Sequence, residues 1–101
     1  MPETNAVTVI ARVQAFPGAE SHLLDRMCRL VDETLKEPGC LRYELHVSRD
    51  KPGLFIFVES WASFEALDVH SSAPALSSFR AETTHLVESL SVELLTKEAG
   101  R

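Results

Sequence analysis

Residues 54–70 carry the most informative pattern in the chain; they read LFIFVESWASFEALDVH. The segment begins with five apolar residues without alternation, which is typical of a strand covered on both faces. A carboxylate, an indole and an imidazole then follow at Glu59, Trp61 and His70. A small domain that places these three groups at the end of its most buried strand is expected to have a pocket there.

The sequence on either side of this segment predicts three more strands and two more helices. β-branched and alternating residues indicate strands, apolar residues that recur at three and four indicate helices, and Pro-Gly pairs indicate turns. The predicted strands cover 7–16, 40–48 and 90–96, with another strand from 54, and a turn covers 49–53. The predicted helices are one from 19 to Pro38-Gly39 with Lys36 in its last turn, a short one capped by Ser63 with Phe64 and Leu67 facing inward, and one from about 74 that includes Leu86 and Val87.

This order of elements predicts an α+β fold of the ferredoxin-like βαββαβ type, a four-stranded antiparallel sheet with the helices on one face. The other face of the sheet is then open, and strands 7–13 and 54–58 carry apolar side chains on both of their faces. Burying one large apolar side chain contributes about 1.5–3 kcal/mol, so we expect the open face to be covered. A second copy, sheet against sheet, would form a dimeric α/β barrel with one pocket per subunit beside the contact.

Composition limits the remaining possibilities. The chain has 101 residues, of which 45% are hydrophobic and 25% charged, so we expect a single domain over 1–101 with its core at about 7–96. A net charge of -5 argues against nucleic acid and anionic membranes as partners. The amino terminus lacks a signal-peptide pattern and no segment has the length of a membrane span, so the expected location is the cytoplasm. Cys28 and Cys40 are expected to be reduced thiols, and no metal-ligand spacing is present.

Four motifs resemble the antibiotic biosynthesis monooxygenase (ABM) domain family: VIA to PG within 9–18, KEPGCLRYE at 36–44, FVESW at 57–61 and HSSAP at 70–74. The likeness covers about residues 7–96. It implies the dimeric ferredoxin-like fold and points to the branch that resembles quinol monooxygenases and uses no cofactor. Other members are anthrone monooxygenases, haem-degrading enzymes, a phosphorylated-sugar isomerase and uncharacterised dimers, so the fold alone does not fix the chemistry.

Two departures from branches of the family restrict the function further. Haem-degrading members resemble this chain but have an asparagine where it has Ala11 and a histidine near the position of Phe79, so haem degradation is not expected. Many members have a second histidine where this chain has Ala75. The resemblance therefore does not support a mechanism that needs two histidines.

The chemistry implied for cofactor-free members suits the residues of the central segment. A deprotonated phenol or enol can reduce O2 by itself, so the protein needs a base, a dry apolar slot and donors for the oxyanion. His70 is the candidate base or orienting donor, Trp61 would stack on a flat substrate and donate its N–H, and Glu59 would orient His70 or accept from a substrate hydroxyl. The substrate-binding candidates are Phe57, Phe55, His46 and Arg12.

Each candidate also has a purely structural interpretation. Trp61 could be core or interface packing, His70 a helix cap, and Glu59 an acceptor for backbone N–H groups at a helix start. His46 could lie on the surface, and Arg12 could form an ion pair. Three functions therefore stay open: a cofactor-independent monooxygenase of a quinol- or polyketide-like aromatic with O2 as co-substrate, a non-redox isomerase of small carbonyl compounds, and a dimeric ligand-binding protein without catalysis.

Overall fold

A computed structural model describes residues 5–101, so the first four residues of the amino-terminal segment considered above lie outside the described part of the chain. The described part contains four strands, three helices and a short 3-10 turn. They are β1 (Val7–Ala15), α1 (Glu20–Thr34), β2 (Cys40–Val47), β3 (Leu54–Trp61), α2 (Phe64–Ser71), α3 (Pro74–Thr83), the 3-10 turn Thr84–Leu86 and β4 (Val87–Leu95).

The four strands form one sheet in the order β2-β3-β1-β4, and every neighbouring pair is antiparallel. The helices α2 and α3 together form the second crossover, from β3 to β4. The predicted α+β, ferredoxin-like βαββαβ architecture is therefore confirmed. None of the helices in residues 5–101 combines the length and the apolar character that crossing a membrane requires.

The end of the second crossover differs from the prediction. Val87 begins β4 instead of continuing the preceding helix, which ends at Thr83. The hydroxyls of Thr83 and Thr84 donate to the carbonyls of Phe79 and Arg80, and such back-bonding competes with regular helix continuation. Threonine chemistry thus ends the helix where apolar spacing alone predicted that it continues. The first helix is also shorter than predicted, because α1 ends at Thr34, before Lys36.

The two faces of the sheet have different compositions. Alternation along β1 and β3 places the buried side chains on the face that the helices cover. These side chains are Val9, Ala11, Val13, Ala15, Phe55, Phe57, Glu59 and Trp61. The residues Leu23, Met27 and Leu30 of α1 pack against this face.

The open face is less apolar than the sequence suggested. Its apolar side chains are Ile10, Leu54, Ile56, Val58 and Leu95, and they alternate across the strands with polar residues such as Arg12 and His46. Phe55 and Phe57, which were expected to line a pocket beside the sheet-to-sheet contact, do not contribute to this face, because a strand turns successive side chains to opposite sides. Phe55 and Phe57 both lie under the helices.

The helix α2 carries His70 to the covered face. The Ser63 hydroxyl accepts a hydrogen bond from Ala66 N–H at 3.1 Å, which confirms the predicted cap. Leu67 and His70 are three positions apart, so they lie on one side of the helix, and both are buried. Phe64 is 57% exposed, and its predicted inward orientation is wrong.

Candidate functional site

A cavity of about 120 Å³ lies between the covered face of the sheet and the helices. Its walls come from all four strands and all three helices of one chain. The residues that line it include Val9, Ala11, Val13, Leu30, Tyr43, Phe57, Glu59, Leu67, His70, Leu76, Phe79, Arg80, Leu90 and Val92. The pocket was expected beside a sheet-to-sheet contact between two subunits; the side chains of the central segment instead point to the helix side, so this cavity forms within one subunit.

Glu59 is a carboxyl group in the core. It is 5% exposed, and its Oε1 accepts a hydrogen bond from Trp61 Nε1–H at 3.0 Å. Burial raises the pKa of Glu59 to about 7, because desolvation penalises the charged carboxylate more than the single donor from Trp61 stabilises it. A carboxyl group that titrates near neutral pH and lines a cavity is suited to general acid or base chemistry.

His70 lies on the helix side of the cavity, in α2, and packs against two aromatic rings. Its ring stacks on Trp61 with centroids 4.6 Å apart and lies edge-on to Tyr43 at 5.5 Å. Its Nδ1 is 2.9 Å from Oε1 of Glu37. The prediction that Glu59 orients His70 is therefore wrong, because Glu37 occupies that position and Glu59 is bound to Trp61.

Trp61 is fully buried behind His70. Its indole N–H, expected to be available to a substrate, is already bonded to Glu59. Trp61 thus contacts both polar groups of the site, one through its ring and the other through its N–H. These contacts hold Glu59 of β3 and His70 of α2 in fixed positions relative to each other.

Tyr43 also faces the cavity, from β2. Burial raises the pKa of its phenol far above the ordinary value, and the charge of Glu59 adds to this effect. Tyr43 consequently stays protonated and has an O–H to donate.

Three of the predicted substrate-binding residues lie elsewhere. Arg12 is on the open face, where it pairs with Glu93 at 3.6 Å, and His46 is on the same face, 3.0 Å from Glu44. Phe55 is on the covered face but borders a separate groove between α1 and β2. Of the four predicted substrate-binding residues, only Phe57 lines the cavity together with Glu59 and His70.

Three residues of the site were not singled out from the sequence: Tyr43, described above, and Glu37 and Arg80. Glu37 lies in the turn after α1, within the motif KEPGC, and its neighbour Pro38 suggested only a turn. Arg80 of α3 lines the cavity near the exposed Leu90 and Val92 of β4, and it donates to the carbonyl of Ser71 at 3.4 Å. Among the salt bridges of residues 5–101, none involves Arg80.

Other groups on the cavity wall bear on cofactors. Ala11 and Phe79, the positions at which haem-degrading relatives were expected to differ, both line the cavity and offer no ligand atom. Within residues 5–101, no group of three or more His, Cys, Asp and Glu residues is close enough to hold a metal ion.

The comparisons with known proteins agree with this architecture. The antibiotic biosynthesis monooxygenase family matches residues 6–82. The chain belongs to this family. A Mycobacterium tuberculosis protein named "Putative monooxygenase Rv0793" is 36% identical over 84 residues, which cover 83% of this chain and 82% of the relative. The Escherichia coli protein named "Probable quinol monooxygenase YgiN" is 25% identical over 88% of this chain and 95% of its own length.

Solved structures share the whole fold. The crystal structure of PA3566 from Pseudomonas aeruginosa superimposes with a TM-score of 0.90 at 28% identity, covering 98% of this chain and all of the other. The structure of Rv0793 superimposes with a TM-score of 0.87 at 31% identity over 94% and 97% of the two chains. The family match covers residues 6–82, and the fold match extends over nearly the full length of the chain.

Proposed function

We propose that this ABM protein is a cofactor-independent monooxygenase that oxidises a small quinol-like aromatic with O2 in the cavity under the helices. The proposal depends mainly on one observation: the cavity is apolar on most of its walls but carries Glu59 and His70, two groups able to exchange protons. The name of the E. coli relative as a quinol monooxygenase supports the substrate class.

The reaction needs little from the protein beyond proton transfer and positioning. A quinol gives up a hydroxyl proton, and the electron-rich anion transfers an electron to O2. The two radicals combine into a ring hydroperoxide, its O–O bond breaks with loss of water, and one ring C–H has become C=O. Overall, one quinol and one O2 give one hydroxyquinone and one water, so the ring compound loses two hydrogen atoms and gains one oxygen atom.

Residues of the cavity match these steps. His70 is the base for the substrate hydroxyl, and Glu59, with its pKa raised to about 7, is the donor to the peroxide oxygen that leaves as water. Arg80 and the Tyr43 O–H are the donors for the oxyanion. The apolar walls exclude water, which strengthens each of these interactions.

The size of the cavity favours a single ring over a polyketide. An engineered apolar cavity of about 150 Å³ holds one benzene molecule, whereas pockets for drug-sized ligands have about 300–1,000 Å³. The value of about 120 Å³ is close to the first case. A fused three-ring substrate would require β4 and α3 to move apart.

The proposal includes a homodimer formed through the sheet. The open face carries an apolar set that includes Ile10, Ile56 and Val58, and the edge strand β4 exposes Leu90, Val92 and Leu94. Exposed edge strands are normally covered. A second copy packed on the open face would bury the first of these sets, and sedimentation at micromolar concentration can test for the dimer.

Oxygen uptake with a panel of one-ring quinols tests the function. We expect turnover with the wild type and a loss of about 10²–10⁴-fold in kcat for His70→Ala, the usual contribution of a general base. His22→Ala, which removes an exposed histidine of α1, is the matched control and should retain full turnover. Oxygen uptake by the wild type no faster than autoxidation would refute the proposal. Anaerobic conversion of a small carbonyl compound would then support the isomerase, and binding of a ligand without its conversion would support a ligand-binding protein.

A further inference from the structure

The contact between Glu37 and His70 joins two parts of the chain that are 33 residues apart. Oε1 of Glu37 lies 2.9 Å from Nδ1 of His70. The side chain of His70 is 4% exposed and that of Glu37 is 17% exposed. The contact is therefore largely removed from water, where a charged hydrogen bond is stronger than at the surface.

The backbone around Glu37 is built to hold this position. Gly39 has φ +82°, and a Cβ on it would lie 2.6 Å from the Cβ of Ala66 in α2. Only glycine allows this turn to lie directly against α2. The turn is further fixed by the bonds from Glu37 N–H to Thr34 O at 2.9 Å and from Ala62 N–H to Gly39 O at 2.8 Å.

We propose that Glu37 is a positioning residue that keeps His70 in the Nδ1–H tautomer and leaves Nε2 as the proton acceptor of the cavity. An ionised carboxylate only accepts hydrogen bonds, so the contact exists as a hydrogen bond only when Nδ1 carries the proton. Within residues 5–101, Nε2 of His70 has no hydrogen-bond partner. This inference depends on the proposed function, in which His70 is the base.

Glu37 also supplies charge at the moment of proton transfer. When Nε2 takes a proton, the imidazole becomes a cation, and the carboxylate of Glu37 is its direct partner. Glu59 does not serve this purpose, because Nδ1 of His70 contacts Glu37 and Oε1 of Glu59 accepts from Trp61 Nε1–H. The two carboxyl groups therefore have separate tasks: Glu37 holds the base, and Glu59 exchanges protons with the substrate.

The tautomer is measured directly by ¹⁵N NMR of the imidazole nitrogens of His70 in the full-length protein. We expect the Nδ1–H form in the wild type, the same form in Glu37→Gln, whose amide oxygen can still accept, and a shift to Nε2–H or a mixture in Glu37→Ala. Glu44→Gln is the matched control, because Glu44 makes a similar 3.0 Å contact with His46 on the open face. An Nε2–H form in the wild type, or an unchanged spectrum of His70 in Glu37→Ala, would overturn the inference.

Turnover provides the second readout. We expect kcat to fall about 10- to 100-fold in Glu37→Ala, as for other groups that orient a functional histidine, with a smaller fall in Glu37→Gln and none in Glu44→Gln. A loss of turnover and melting temperature in Glu37→Ala without a change of tautomer would indicate a structural role only and contradict the inference. The NMR experiment needs no substrate, so it gives its answer even where the wild type proves inactive toward quinols.

Discussion

Replacing Glu59 by glutamine changes how the stability of the protein depends on pH. Burial raises the pKa of Glu59 from 4.5 to about 7 in the folded state, while the unfolded chain keeps the ordinary value. Between these values the folded state binds the proton more tightly, so the stabilisation is complete below about pH 4.5 and is lost as the pH rises through 7. A difference of about 2.5 pK units corresponds to about 3 kcal/mol.

The glutamine variant lacks this loss because its side chain does not titrate, and its amide oxygen can still accept from Trp61 Nε1–H. The free energy of unfolding of Glu59→Gln, relative to the wild type, should thus increase by about 3 kcal/mol between pH 4.5 and pH 7.5. For a domain of this size the melting temperatures should diverge by on the order of 10–20 °C.

Urea denaturation at a series of pH values, at one fixed protein concentration, measures this difference. Glu88→Gln makes the same chemical change at an exposed position of β4 and serves as the control; its difference from the wild type should stay within about 0.5 kcal/mol at every pH. A difference between Glu59→Gln and the wild type that does not change with pH would refute the assigned cost of burying this carboxyl group.

Three further predictions concern the neighbours of this group. Gly39→Ala should destabilise the fold by about 2–4 kcal/mol and Gly18→Ala by about 1–2 kcal/mol. Both glycines have positive φ, but only a Cβ added at position 39 would meet another element. Equal losses for the two variants in urea denaturation would contradict this. Trp61→Phe removes the donor that lowers the pKa of Glu59, so the loss of stability with rising pH should move to higher pH in the same denaturation series, and an unmoved or lowered transition would count against it. Arg80→Ala should lower kcat/KM for quinols about 10- to 100-fold, and Arg80→Lys should have a value between those of the wild type and Arg80→Ala. Equal rates for Arg80→Ala and the wild type in an oxygen electrode would show that Arg80 does not act in the site.

Much of the fold follows from local patterns that the sequence displays directly. Alternation along 40–47 and the turn at Pro52-Gly53 are sufficient for the central hairpin, and the Ser63 cap places α2 correctly. The end of α3 was harder to place, because apolar spacing continues through Leu86 and Val87 although the chain has already left the helix. Two threonine hydroxyls decide that boundary. In the sequence, a pair of threonines is a weaker signal than the apolar periodicity.

The location of the pocket depended on information that one strand does not contain. The pattern of β3 showed that Phe57, Glu59 and Trp61 share a face, but not which face the helices cover. The expected dimer covers the open face, whereas these three side chains lie on the face that the helices cover. Contacts between distant segments, such as that between Glu37 and His70, likewise leave no periodic signature, because the turn and α2 are brought together by the tertiary fold and not by local spacing.

The local pattern nevertheless indicated the site at the position where the pattern breaks. The inward positions of β3 are aromatic at Phe55, Phe57 and Trp61, and a carboxylate interrupts them at Glu59. Burying a carboxyl group among aromatic residues costs stability, and natural sequences keep such breaks mainly where function requires them. The burial that carries this cost also raises the pKa of Glu59 and gives the group its ability to exchange protons near neutral pH. Replacing Glu59 by glutamine should therefore stabilise the protein at and above neutral pH and slow its reaction together.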